Sequence, residues 1–340
     1  MRSFLAGVGT ALPERVVTNA ELETELGGSA GWVRDLLGIE ERRAAAPGEL
    51  GYHLGARAAR VALADAGVEP AEVDLLIYHT NFADYSIPGS GVLVQRELGL
   101  RAGIPALDLR QQCAGFLYAW MAADAYLATE TFRCALVVCG ERLFANCLMY
   151  APVAPIFGDA GAAVVLQGTT EDRGLLDVRA YTDGAGVEFG LVSSDHYDVL
   201  DPSRQVPREM VRAVEDWRRA PLRKRVAQRW DGSVIYKNAV ARMSQATREI
   251  LDAHGLKVGD VDWYLFHQAN KGIVERVGHL LKLPADRVLT NLGPYGNTSS
   301  ASIPLLLADA RRRDQLRPGQ LLLMCAFAVG YVWATALYRV

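Results

Sequence analysis

The sequence predicts an α/β protein made of two similar halves packed into one layered body. Three observations carry that prediction. Gly67-Val-Glu-Pro-Ala-Glu-Val-Asp74-Leu-Leu-Ile-Tyr-His79 aligns without a gap on Gly255-Leu-Lys-Val-Gly-Asp-Val-Asp262-Trp-Tyr-Leu-Phe-His267. The runs between helical stretches are short, β-branched and wholly apolar, as in sheets covered on both faces. The echo recurs near half the 340-residue chain, an interval that marks duplication rather than a solenoid.

Each copy unfolds in the same order. An Ala-containing helix ends at Gly67 or Gly255, a polar turn follows, and Val-Asp opens a strand that ends in His79 or His267. Cys113 then precedes a helical stretch from Ala114 to Leu127, and Asn297 precedes one from Ser300 to Arg313. Strands Ala135–Cys139 and Ala162–Leu166 answer Leu321–Met324 and Val332–Leu337. The halves are placed at 1–170 and 171–340, with a basic helical cap inserted at about 193–230. Within it, Arg204 to Arg229 carries eight Arg and one Lys against Glu209, Glu215 and Asp216. Such a run is a solvated helix pair, or a basic surface for an acidic carrier protein or a phosphate.

Composition narrows the class. A net charge of -3 gives no global signal for nucleic acid. The apolar stretch Leu321 to Tyr338 is rich in Val, Phe, Tyr and Trp and broken at Gly330, so it reads as two strands rather than a membrane span. The N-terminus is apolar too briefly for a signal peptide. Cysteines at 113, 134, 139, 147 and 325 form an odd set without CxxC spacing. That argues against a disulfide framework and a metal site, and fits a reducing cytoplasm.

The chemistry rests on three segments. Cys113 sits where an extended run turns into a helix, a place where unpaired N–H groups favour a thiolate. Ala114 and Gly115 leave room for a substrate beside the sulfur, and the Cys113 N–H is an oxyanion donor. If equivalent loops meet near a pseudo-twofold axis, His267 and Asn297 reach Cys113, while His79 stays off-centre as a structural partner for nearby backbone. His267 and Asn297 both offer N–H donors without negative charge, which suits a second carbonyl oxygen becoming an enolate. Cys134, Cys139, Cys147 and Cys325 read as packing, and His53, His254 and His279 as surface. Asn270 supports the loop aiming His267, and His196 lies in a loop where it is solvated or, as the lesser reading, reaches the substrate tunnel.

In this order and spacing, Trp32-Val33 through Arg42-Arg43, Cys113-Ala-Gly-Phe, Ile156-Phe-Gly-Asp-Ala-Gly161, His267-Gln-Ala-Asn270 and Gly296-Asn297-Thr-Ser resemble the β-ketoacyl-acyl carrier protein synthase III family of the thiolase superfamily. The resemblance implies a thiolase-like, five-layered αβαβα sandwich and a homodimer. It makes Cys113 the acylated nucleophile and His267 with Asn297 the pair for decarboxylative Claisen condensation. The oxyanion donors become the backbone N–H groups of Cys113 and Val329. Trp32, Phe157 and Asn270 fall at substrate-binding positions, and Ile87 at one that reaches the partner's acyl pocket. Gly158-Asp159-Ala160-Gly161 reads as mainly a structural turn. No cofactor or metal is implied, only coenzyme A or acyl carrier protein thioesters as substrates.

Two family arginines that grip coenzyme A read Leu36 and Ala151 here, an arginine position used for carrier docking reads Gly272, and a glycine near the last strand reads Val329. These departures imply a specialised condensing enzyme, of the kind found in polyketide and other secondary pathways. Two alternatives stand beside it. One passes the Cys113-bound acyl group to an alcohol or amine, with His267 as general base. The other is a silent dimer partner, whose expected mark is the loss of Cys113 or His267; a papain-like hydrolase is disfavoured by chain order.

Overall fold

The structure, a computed structural model, describes residues 1–26, 31–144, 154–192 and 228–340. The first half contributes β1 (Arg2–Ala11), β2 (Arg15–Thr18), α1 (Asn19–Leu26), α2 (Trp32–Leu37), β3 (Glu41–Ala44), α3 (Gly51–Ala66) and β4 (Leu75–His79). It continues with α4 (Ser90–Leu98), β5 (Ala106–Leu109), α5 (Gly115–Ala128), β6 (Cys134–Glu141) and β7 (Ala160–Thr169). The second contributes β8 (Gly174–Thr182), β9 (Gly190–Val192), β10 (Gln228–Trp230), α6 (Gly232–Ala253), β11 (Trp263–Phe266) and α7 (Lys271–Leu281). It ends with α8 (Ser302–Arg312), β12 (Leu321–Ala328) and β13 (Val332–Arg339).

The strands form one sheet in the order β1-β7-β6-β4-β5 and another in the order β11-β12-β13-β8, with β2–β3 and β9–β10 as separate pairs. The two larger sheets share a pattern. β4 runs parallel to β5 and β6, β6 antiparallel to β7, and β7 antiparallel to β1. β11 likewise runs parallel to β12, β12 antiparallel to β13, and β13 antiparallel to β8. Where the first sheet has β5, the second has only a parallel bridge from Tyr264 to Val288.

The repeated sequence makes the same local structure twice. Gly67 and Gly255 both adopt φ 64°, the left-handed conformation that glycine enters without a Cβ penalty. The next residues close matching caps, Val68 N–H donating to Leu63 O at 3.0 Å and Leu256 N–H to Leu251 O at 2.9 Å. The two aspartates also do one job. Asp74 accepts from the backbone of Arg133 and Cys134 at 2.8 and 3.0 Å, and Asp262 accepts from Leu321 N–H at 2.8 Å. Each carboxylate therefore ties the start of its strand to the start of a neighbouring parallel strand, β6 or β12.

Five layers follow from strand alternation. Leu76, Tyr78, Leu136 and Val138 face outward into a core with α3 and α4. Leu75, Ile77, Ala135 and Val137 face inward, where α5 and α8 pack against Leu322, Met324 and Ala326 of the second sheet. Leu323, Cys325 and Phe327 face the opposite way, onto α6 and α7. The order is helices, sheet, helices, sheet, helices. Cys134, Cys139 and Cys325 are buried in these cores. None of the described helices is long and apolar enough to cross a membrane.

Candidate active site

The turns before α5 and α8 meet the end of β11 at a cavity of about 710 Å³. Cys113, His267, Asn297, Phe157, Asn270 and Val329 all line it. Topology therefore joins residues that lie far apart in the chain.

Cys113 is carried by a single 3-10 turn, Gln112–Ala114, between β5 and α5. Gln112 enters it at φ 44°, a left-handed conformation costing a non-glycine residue about 1–3 kcal/mol. The turn is pinned from behind, since Gln111 N–H donates to His79 Nε2 at 2.9 Å. That bond leaves the proton of a neutral His79 on Nδ1, which faces buried Glu141 Oε1 at 3.5 Å. His79 thus takes the structural part expected of it. Gly115 does not make room for substrate, contrary to the expectation. A Cβ there would lie 1.9 Å from His79 Nε2, so the imidazole ring already fills the space.

The expected ease of ionisation is also corrected. Part of Cys113 faces the cavity, yet protein crowds the sulfur, and burial pushes its thiol up to about 12 from 9.0. A hydrogen bond from Ser299 opposes this shift, and the Glu141 charge adds to it. Cys113 rests as a thiol because α5 begins two residues later and desolvation outweighs the helix end.

His267 continues β11, its N–H donating to Cys325 O at 2.9 Å. Its Nδ1 shares a hydrogen bond of 2.7 Å with Ser302 Oγ, while Nε2 is buried without a partner among the described residues. Burial lowers its pKa to about 3, so the ring is neutral across ordinary pH. Gln268 locks the loop, donating to Phe266 O and accepting from Thr290 and Asn291. Asn270 does support this loop, although through a different bond from the one expected. Its Oδ1 accepts from Ile273 N–H at 3.0 Å and caps α7.

Asn297 is held on three sides. Its N–H donates to Ile156 O at 2.8 Å, its carbonyl accepts from Gly158 N–H at 3.0 Å, and its Oδ1 accepts from Ser299 N–H at 2.8 Å. The last bond fixes the amide orientation and leaves Nδ2 as a donor at the cavity wall. Phe157 bridges the Asn297 backbone, and the next turn is anchored by Asp159, which accepts from Ala45 and Phe144 N–H groups at 2.8 and 2.6 Å. Val329 lies in the β12–β13 hairpin, its side chain against Gly190.

Trp32 packs against Val33, Ile39 and Leu292 rather than lining the cavity. Ile87 is 88% exposed and likewise off the cavity of its own chain. Leu36 does line it. Ala151, His196, Cys147 and the basic run Arg204–Arg229, apart from the β10 residues, lie outside the described residues.

Three polar residues escaped the sequence reasoning. Ser299 Oγ bonds Cys113 Sγ at 3.2 Å, Asn81 Nδ2 bonds Ser299 Oγ at 2.6 Å, and Glu141 takes the other Asn81 N–H at 3.1 Å. The signals available were Ser299 within the Asn297 motif and Asn81 just beyond the strand ending in His79.

A family model described as 3-oxoacyl-[acyl-carrier-protein (ACP)] synthase III matches residues 107–184, and its C-terminal counterpart matches residues 251–340. The β-ketoacyl-[acyl-carrier-protein] synthase III of Rhodospirillum rubrum is 35% identical, over 99% of both chains. The crystal structure of 3-oxoacyl-[acyl-carrier-protein] synthase III from Aquifex aeolicus superposes with TM-score 0.86 at 30% identity, covering 99% of this chain and all of that one. The priming β-ketosynthase of the R1128 polyketide pathway gives the same TM-score and identity, covering 100% of this chain and 96% of that one.

Proposed function

The chain belongs to the 3-oxoacyl-[acyl-carrier-protein] synthase III family of condensing enzymes, with their thiolase-like fold, and from that premise we propose the roles of its site residues. Cys113 Sγ attacks the carbonyl of an acyl thioester. The new S–C bond replaces the bond to the leaving thiol, which departs with the Cys113 proton. The backbone N–H groups of Cys113 and Val329 hold the carbonyl oxygen as charge develops on it. A malonyl-type thioester then loses carbon dioxide, and the electron pair left on its α-carbon attacks the acyl carbonyl. The C–C bond forms, the C–S bond breaks, and the sulfur regains a proton from water.

One observation carries this reading of the second step. His267 Nε2 has no partner among the described residues, and Asn297 Nδ2 is left over after Oδ1 is engaged. Both stand on the wall of the cavity that holds Cys113. Two neutral donors stabilise an enolate oxygen, whereas a carboxylate there would repel it.

The cavity favours an apolar acyl group. Leu37, Leu143, Ile156, Phe157 and Met243 line it, and Arg110 is the one cation among its described lining residues. Leu36 in place of an arginine and the likeness to a priming ketosynthase support a specialised pathway, with donors on coenzyme A or a carrier protein. The active unit is a homodimer in this proposal. Tyr85, Ile87 and Val92, exposed apolar residues before and within α4, are the ones that a second copy would cover.

The test is product analysis with an acyl donor and a malonyl thioester. Carbon dioxide release with a β-ketoacyl product is expected, while His267→Ala and Asn297→Ala should keep acylation and lose condensation. An ester or amide of an added alcohol or amine, formed without carbon dioxide, would assign the transferase alternative instead.

A further inference from the structure

We propose that Ser299 is a further catalytic residue, held by Asn81 and Glu141 so that its hydroxyl proton points at the Cys113 sulfur. Asn81 Nδ2 donates to Ser299 Oγ at 2.6 Å, which engages the hydroxyl as acceptor. The one remaining Ser299 proton then goes to Cys113 Sγ, 3.2 Å away.

Asn81 is itself aimed. Glu141 Oε1 takes the second Nδ2 proton at 3.1 Å, and Oε2 accepts from the Asn81 backbone N–H at 3.1 Å. Turning the amide over would set its oxygen against a buried carboxylate. Ser300 Oγ also donates to Glu141 Oε1, and His79 Nδ1 faces the same oxygen. Glu141 is therefore the fixed end of a chain running through Asn81 and Ser299 to the sulfur.

Ser299 has a second link. Its N–H donates to Asn297 Oδ1 at 2.8 Å, so one residue touches the nucleophile and orients a donor of the condensation pair. It holds φ 52° to do so, a conformation that disfavours side chains and must be maintained by its surroundings. Each time sulfur bears negative charge, before attack and when the acyl group leaves, the Ser299 hydroxyl supplies the hydrogen bond. Asn81 and Glu141 act through Ser299 and are positioning residues.

The test is the rate of Cys113 alkylation by iodoacetamide against pH, followed by peptide mass spectrometry. Ser299→Ala should slow it roughly tenfold and move the pH profile upward, as expected for a lost hydrogen bond to a charged group. Asn81→Ala should do the same in the parent protein and nothing further in Ser299→Ala, because its effect passes through that hydroxyl. Ser299→Gly removes the hydroxyl while relaxing the backbone, so it keeps the test readable if the alanine variant folds poorly. Parent-like alkylation in both Ser299 variants would overturn the proposal, as would an Asn81→Ala effect of equal size in both backgrounds. The proposal rests on Cys113 as nucleophile, but alkylation needs no acyl donor. Failure of the chain to aim the hydroxyl and failure of acylation are thus told apart.

Discussion

Replacing Gly115 by alanine tests how the turn that carries Cys113 is held. The added Cβ would meet His79 Nε2, Cδ2 and Cε1 at 1.9, 2.1 and 2.4 Å. His79 is fully buried and cannot swing into solvent. Overpacking of this kind costs about 1–3 kcal/mol. Displacing the ring also strips Gln111 N–H of its acceptor, a further loss of about 1–3 kcal/mol. Gly115→Ala should therefore destabilise the protein by roughly 2–6 kcal/mol, read as a lower urea midpoint by tryptophan fluorescence. In a His79→Ala background the steric part should vanish, so the same substitution should cost far less. An alanine variant within about 0.5 kcal/mol of the parent, well under the overpacking range, would refute the reasoning. So would an equal cost in both backgrounds.

Other consequences are as direct. His267, lowered to about 3 by burial, should show a neutral ring by NMR from pH 5 to 9, and a titration near 6.5 assigned to it would contradict its environment. Because the folded protein binds that proton more weakly than the unfolded chain, stability should fall as pH drops from about 6.5 toward 3. His267→Asn should flatten this part of the acid limb in urea titrations. Cys113, pushed up to about 12, should alkylate slowly at pH 7 and keep accelerating through pH 9, and a plateau near neutrality would count against a buried thiol. Ile87→Asp places a charge on an 88% exposed apolar position; sedimentation should show dimer loss, and an unchanged dimer would remove Ile87 from the interface.

Much of the architecture was legible because the duplicated segments encode local geometry directly. Gly67 and Gly255 mark the same left-handed cap, and Asp74 and Asp262 anchor the same strand entry. Cys113, His267 and Asn297 could be read as convergent because equivalent loops of a duplicated fold meet. What was hidden depends on space rather than order. No spacing rule shows that the room beside Gly115 is filled by a histidine from β4. A helix start is visible in sequence, but the crowding that desolvates Cys113 is not. Asn81, Glu141 and Ser299 come from the ends of two strands and a distant turn, so only the fold joins them. The packing of Trp32 onto Ile39 and Leu292 is likewise a matter of space that its position in the sequence does not show.

The central claim is that Cys113 carries the acyl group. Intact-protein mass spectrometry after incubation with acyl-coenzyme A and acyl-carrier thioesters tests it most directly. The account predicts a mass increase equal to one acyl group, absent from Cys113→Ala and discharged when a malonyl thioester is added. No adduct from any donor, or one that persists in the alanine variant, would contradict it.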